Sequence, residues 1–240
     1  MNLPALSSVY DRCEAFARLA QDRFFGSLAG KLLLHDSLDT DGLADVAAAG
    51  IAGACSLCVD PRAESLREAL RAGLCDFVVG PLDEALRILK NELRRGRPVS
   101  VGLTAPLDAT LAEMIDRGLQ PDLISLPPGA LCRTFTDRGA LALPDHDAPD
   151  AETSLLEWTL STDLARFMPQ ISRLAAQSLE ANRSDTLFRR HWLESAPRHL
   201  GRAFVTHQCL RMTPAESAAF VAATRPQFAA IRITRAGTEL

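Results

Sequence analysis

His35 and Asp36 stand side by side at the carboxyl end of a short apolar run. An imidazole beside a carboxylate can serve as a general base or as a polar ligand contact, and equally as a strand-end histidine bonded to its neighbour. The acidic set continues through Asp39, Asp41 and Asp45, with Gly42 the one glycine among them. Asp60 follows a second apolar run, where dinucleotide-binding sheets place an acidic residue on the ribose hydroxyls. It also belongs to Asp60-Pro61-Arg62-Ala63-Glu64, a helix-start signal. Thr104 and Leu126 follow two later runs. His35, Asp36, Asp39, Gly42, Asp60, Thr104 and Leu126 are therefore the candidate lining of one ligand crevice.

No catalytic set emerges beyond these. The histidines at 35, 146, 191, 199 and 207 are scattered, without a nucleophile elbow or a helical His-x-x-x-His pair. Cys55-Ser-Leu-Cys58 has the C-x-x-C form, but zinc needs a second pair or histidines, and a redox pair belongs at a helix N-terminus. Both cysteines fall in an apolar run and read as buried core thiols. His146 between Asp145 and Asp147 reads as a solvated charged loop, so no metal is expected.

Positioning the crevice requires a sheet. Across residues 30–125, short apolar runs at 31–35, 53–59, 76–79, 98–103 and 122–125 alternate with amphipathic segments. The runs are too short for helices and do not alternate with polar residues, as strands buried on both faces read. Residues 82–95 and 107–117 carry helical apolar spacing, and each ends in Arg-Gly, a left-handed stop. Right-handed crossovers then give a doubly wound, mostly parallel sheet with its crevice beyond the strands' carboxyl ends. The fold class expected is α/β, Rossmann-like, with a mainly helical C-terminal extension. A helix is expected over residues 7–25 ahead of it.

The same stretch resembles the central NAD-binding domain inserted in urocanase (urocanate hydratase). The resemblance is carried by Phe25-Gly26-Ser27-Leu28-Ala29-Gly30-Lys31, Ala52-Gly53-Ala54-Cys55-Ser56-Leu57, Asp83-Glu84-Ala85-Leu86 and Arg117-Gly118-Leu119-Gln120-Pro121-Asp122, and it covers roughly residues 7–143. It implies a Rossmann-like fold and a tightly bound NAD acting on urocanate. The flanking catalytic core of the family has no counterpart here. Three cofactor-side segments also depart from the family's pattern. The glycine-rich phosphate loop is replaced by residues 36–45, with one glycine and four carboxylates, which reverse the field a pyrophosphate needs. Ala105-Pro106 and Leu126-Pro127-Pro128-Gly129 replace polar ligand-facing groups. The expectation is a non-catalytic protein with no cofactor, NAD binding only if the loss of the glycine-rich loop is compensated. The alternative is a divergent urocanate hydratase-like lyase (histidine degradation), working with a separate catalytic partner or another small nucleotide-like ligand.

Residues 126–150, rich in proline, aspartate and glycine, read as a linker with a short strand at 139–143. The domains expected are 1–145 and 151–240, the second packed on the first and ending in a β-α-β unit. Residues 155–160, 164–179 and 187–193 show helical spacing; Trp158, Phe167, Phe188 and Trp192 read as packing, and Arg189-Arg190-His191 as a solvated face. Thr213-Pro214-Ala215-Glu216 is a capping box opening a helix, between strands at 202–210 and 228–234. A 47% hydrophobic content over 240 residues can bury a full core, and a net charge of −4 offers no basic stripe for nucleic acid. No signal peptide or 18-residue apolar run is present, so a cytoplasmic protein with no membrane partner is expected. The partners expected are a small-molecule ligand or a second copy in a homodimer.

Overall fold

A computed structural model describes residues 3–143, 152–235 and 237–240. The chain divides into two compact units, one built on residues 12–143 and the other on residues 5–11 together with residues 152 onward.

The first unit is a six-stranded parallel sheet. Its elements are α1 (Leu6–Arg23) from Arg12 onward, β1 (Leu32–His35), α2 (Thr40–Ile51), β2 (Cys55–Val59), α3 (Ala63–Ala72), β3 (Phe77–Val79), α4 (Leu82–Arg95), β4 (Ser100–Leu103), α5 (Leu107–Asp116), β5 (Leu123–Ser125), α6 (Ala130–Asp137) and β6 (Leu141–Ala142). The strand order is β3-β4-β2-β1-β5-β6, with β1 central and every residue of β1 and β2 buried. Period two sorts their side chains onto two faces. Leu34, Leu57, Val101 and Ile124 pack with Leu86 and Leu89 of α4, Met114 of α5 and Phe135 of α6. The opposite face carries Leu33 and His35, and it meets α2 and α3: Ser125 bonds Asp45, and Leu66 lies so close to Gly102 that an added Cβ would sit 2.9 Å from it. Helices thus cover both faces, as a doubly wound sheet requires.

The expected strands and helices of this unit are present. Gly96, in the left-handed conformation at φ 61°, caps α4 as its Arg-Gly stop requires. α2 answers to an expected crossover but starts early, and α6 had not been expected. Thr40 already begins α2, inside the segment compared with the phosphate loop, and α6 lies in the stretch read as linker, anchored by the fully buried Phe135. The acidic loop is therefore only residues 36–39. Residues 144–151, with His146, lie outside the described residues.

The second unit contains β7 (Ser154–Thr159), a 3₁₀ turn (Thr162–Phe167), α7 (Met168–Gln177), α8 (Thr186–His199), β8 (His207–Met212), α9 (Pro214–Thr224), β9 (Arg232–Arg235) and β10 (Thr238–Glu239). Its sheet runs β10-β9-β7-β8, with antiparallel pairing throughout. Residues 155–160, expected to be helical, lie in β7 and the residue after it. Leu156 and Trp158 are buried and Glu157 is exposed, the alternation of a half-buried strand. Both strands flanking β7 run antiparallel to it, so β8-α9-β9 is a crossover with β7 between its strands.

The core here is aromatic and ionic. Trp158 packs on Phe220 with ring centroids 5.0 Å apart, and Trp192 Nε1 donates to the Cys209 carbonyl at 2.7 Å. Thr213 and Glu216 close the expected capping box on α9. Arg189, read from sequence as solvated, is instead fully buried. It pairs with Glu216 at 2.6 Å and with Asp185 at 3.0 Å. Burial is tolerable because Glu216 also accepts the Thr213 and Glu180 amides, so the carboxylate's lone pairs are filled.

Candidate functional site

The crevice of a doubly wound sheet opens where successive crossovers diverge. Here that point lies between β1, whose next strand is β2 on one side, and β5 on the other. His35 ends β1, in register with Cys58 of β2 and Ser125 of β5.

His35 is 1% exposed, and its Nδ1 lies 2.9 Å from the Ser37 carbonyl oxygen. A carbonyl only accepts, so this contact assigns the proton to Nδ1 and leaves Nε2 a bare acceptor. Nε2 is buried with no hydrogen-bond partner among the described residues. Burial pushes the imidazole down to about 4, against the smaller opposing effects of the Ser37 carbonyl, Asp39 and Asp60. It is neutral at pH 7, and a base so weak is poorly matched to proton abstraction there.

From His35 the chain turns into α2 within four residues. Asp39 is the N-cap, its Oδ1 accepting the Gly42 amide at 3.0 Å and its Oδ2 the Ser37 hydroxyl at 3.0 Å. The Gly42 amide, above all, holds the Asp39 carboxyl below the usual range. Gly42 is needed for room: a Cβ there would lie 2.0 Å from the Ser37 carbonyl oxygen. Asp36 is half-buried, and partial burial raises its carboxyl.

Asp60 is fully buried after β2. Its Oδ1 accepts the Arg62 amide at 2.8 Å and Nε at 2.9 Å; its Oδ2 accepts Arg62 Nη2 at 2.9 Å and the Leu38 amide at 3.3 Å. Burial raises this carboxyl, but the Arg62 guanidinium and the two amides outweigh it, leaving the carboxyl below the usual range. Every lone pair is taken by the chain itself, so Asp60 ties the loop before α2 to the start of α3. These contacts lie at the start of α3, whose N-cap is Arg62.

Asp45 corrects the acidic count. It is 3% exposed, pairs with Arg12 Nε at 2.6 Å and accepts the Ser125 hydroxyl at 3.1 Å. Its charge is neutralised beneath the crevice and adds nothing to the field at the start of α2. Thr104 follows β4, two strands from β1, its amide bonded to the Val79 carbonyl at 2.9 Å. Leu126 follows β5, the strand next to β1. The structure thus brings His35, Asp36, Asp39, Gly42 and Asp60 into one connected group, with Leu126 beside it and Thr104 further along the same strand ends. Arg12 and Arg62 were missed from sequence; the i, i+2 spacing of Asp60 and Arg62 was the available signal.

Residues 10–126 match the family model of the Urocanase Rossmann-like domain. This stretch is similar to a domain of the urocanase family. The match begins inside α1 and ends just after β5, so it takes in the first five strands and their helices.

The urocanase family implies NAD, and the residues present do not fit its pyrophosphate. A dinucleotide-binding helix offers free N–H groups and a positive end to the phosphates. In this urocanase-related chain the carboxylate of Asp39 already holds that position on the Gly42 amide. Asp36, Asp39 and Asp60 have Arg62 as the cation acting on all three. Cys55 and Cys58 lie on opposite faces of β2 as buried thiols. Among the described residues no group of three or more His, Cys, Asp or Glu is placed to hold a metal ion, and no helix is long and apolar enough to cross a membrane.

Proposed function

We propose that the protein is a urocanase-related, non-catalytic module whose dinucleotide-phosphate site is closed, acting in binding, regulation or assembly. One observation carries this: the N-terminus of α2, where a pyrophosphate would sit, is capped by the Asp39 carboxylate at 3.0 Å from the Gly42 amide. A phosphate about 4 Å from such a charge meets roughly 4 kcal/mol of repulsion per charge pair at an effective dielectric near 20, close to a thousandfold in affinity. The half-buried Asp36 adds to it, and a neutral His35 offers no positive charge in return. The partners proposed are a small-molecule ligand or a second copy of the chain.

The test is urocanate absorbance in the ultraviolet, followed with the full chain, with and without added NAD. No loss proportional to protein is expected, and a proportional loss would overturn the non-catalytic reading. One observation favours the second reading, a divergent hydro-lyase completed by a separate partner: the unpartnered Nε2 of His35 in the crevice. Under that reading His35→Gln removes the activity while the fold is kept.

A further inference from the structure

A cavity of about 530 Å³ opens within the second unit, in the size range of small-molecule sites, about 300–1,000 Å³. The local sequence explains why it is not filled. Pro197 lies inside α8, where it supplies no amide to the Leu193 carbonyl one turn earlier and its ring presses on that turn. Gly201, at φ 65°, then turns the chain out of the helix. Ala165 and Ala176 line the wall contributed by the 3₁₀ turn and α7, where longer side chains would occupy the space. Met168, Leu193 and Leu200, all buried, supply an apolar lining.

The charge around this cavity is unequal. Arg173 on α7 and Arg198 on α8 both line it and are exposed, against the single carboxylate of Glu194. Arg173 Nε donates to the Pro169 carbonyl of its own helix at 3.3 Å. Neither guanidinium has an ion pair among the described residues. Two guanidiniums beside an apolar recess suit a ligand with an apolar body and one anionic end, since guanidinium pairs with carboxylate or sulfonate through charge-assisted, often bidentate hydrogen bonds.

We propose that this cavity is a binding site for an amphipathic organic anion, its apolar body among Met168, Leu193 and Leu200 and its acidic end toward Arg173 and Arg198. The site is independent of the crevice at α2, because every lining residue lies within residues 165–208. Failure of one reading therefore leaves the other standing.

Calorimetry on the full chain tests it, with decanoate as probe and decyltrimethylammonium as the control of equal chain length. Decanoate is expected to bind one per chain, about tenfold or more tighter than the ammonium. The double variant Arg173→Gln, Arg198→Gln removes that preference, and Ala176→Phe, which fills the recess, abolishes saturable binding with near-ultraviolet dichroism unchanged. No saturable decanoate binding, equal affinity for the two probes, or an unaffected double arginine variant overturns the proposal. If Ala176→Phe fails to fold, the two exposed arginines decide the outcome alone.

Discussion

The carboxylate of Asp39 accepts the amide of Gly42 at 3.0 Å, so the positive end of α2 is closed by the chain's own anion. The two residues are coupled in a second way. Gly42 passes so close to the Ser37 carbonyl that only a hydrogen fits, and the Ser37 hydroxyl bonds Asp39 from the other side.

Removing the cap costs helix stability. Asp39→Ala is expected to lower unfolding free energy by about 1 kcal/mol, and Asp39→Asn, which keeps an acceptor, by less. Urea denaturation measures both; equal stability of the alanine variant would mean that the cap contributes nothing in solution.

Gly42→Ala gives a prediction of sign. Inside a helix this exchange ordinarily stabilises by up to about 1 kcal/mol. Here the new Cβ meets the Ser37 carbonyl oxygen at 2.0 Å, so a loss of about 1–3 kcal/mol is expected instead. Thermal unfolding at neutral pH decides it, and a raised Tm contradicts the close approach.

His35 sets a pH dependence. Its folded pKa of about 4 lies below the ordinary 6.5, so between those values the unfolded chain binds the extra proton. Stability conferred by a neutral His35 is complete above 6.5 and is lost as pH falls toward 4, a difference of about 3 kcal/mol. Asp39 and Asp60, held below their ordinary 3.8, lose their contributions only at lower pH. Urea midpoints across that window should flatten in His35→Gln; an unchanged slope would assign the effect elsewhere.

Arg189 and Glu216 form a buried pair in the second unit. Arg189→Met leaves a buried carboxylate without its cation and is expected to cost about 3–5 kcal/mol. Adding Glu216→Gln, which keeps the capping box and removes the charge, should recover part of that loss. Full additivity of the two substitutions would contradict the coupling.

The sequence was most legible where burial is simplest. Strands buried on both faces leave unbroken apolar runs, which is why β1 and β2 stood out, and Gly96 marked the end of α4. Residues 155–160 misled because leucines and a tryptophan in a short segment satisfy helical spacing, while the deciding contrast between Trp158 and Glu157 depends on which neighbours cover them. The start of α2 was hidden by its own carboxylates: four acidic residues read as a loop, whereas two of them are engaged, Asp39 as the cap and Asp45 with Arg12; Asp60, after β2, is likewise filled by Arg62 and Leu38. Arg12 lies 33 residues from Asp45 and Leu38 lies 22 from Asp60, and no local pattern announces either.

Calorimetric titration of the full chain with NAD tests the closure of α2 most directly. With Asp39 on the Gly42 amide, no saturable binding is expected below a dissociation constant of about 1 mM. Micromolar binding of NAD at one per chain would contradict it, because the Asp39 carboxylate would then have to leave the helix end and yield those amides to the pyrophosphate.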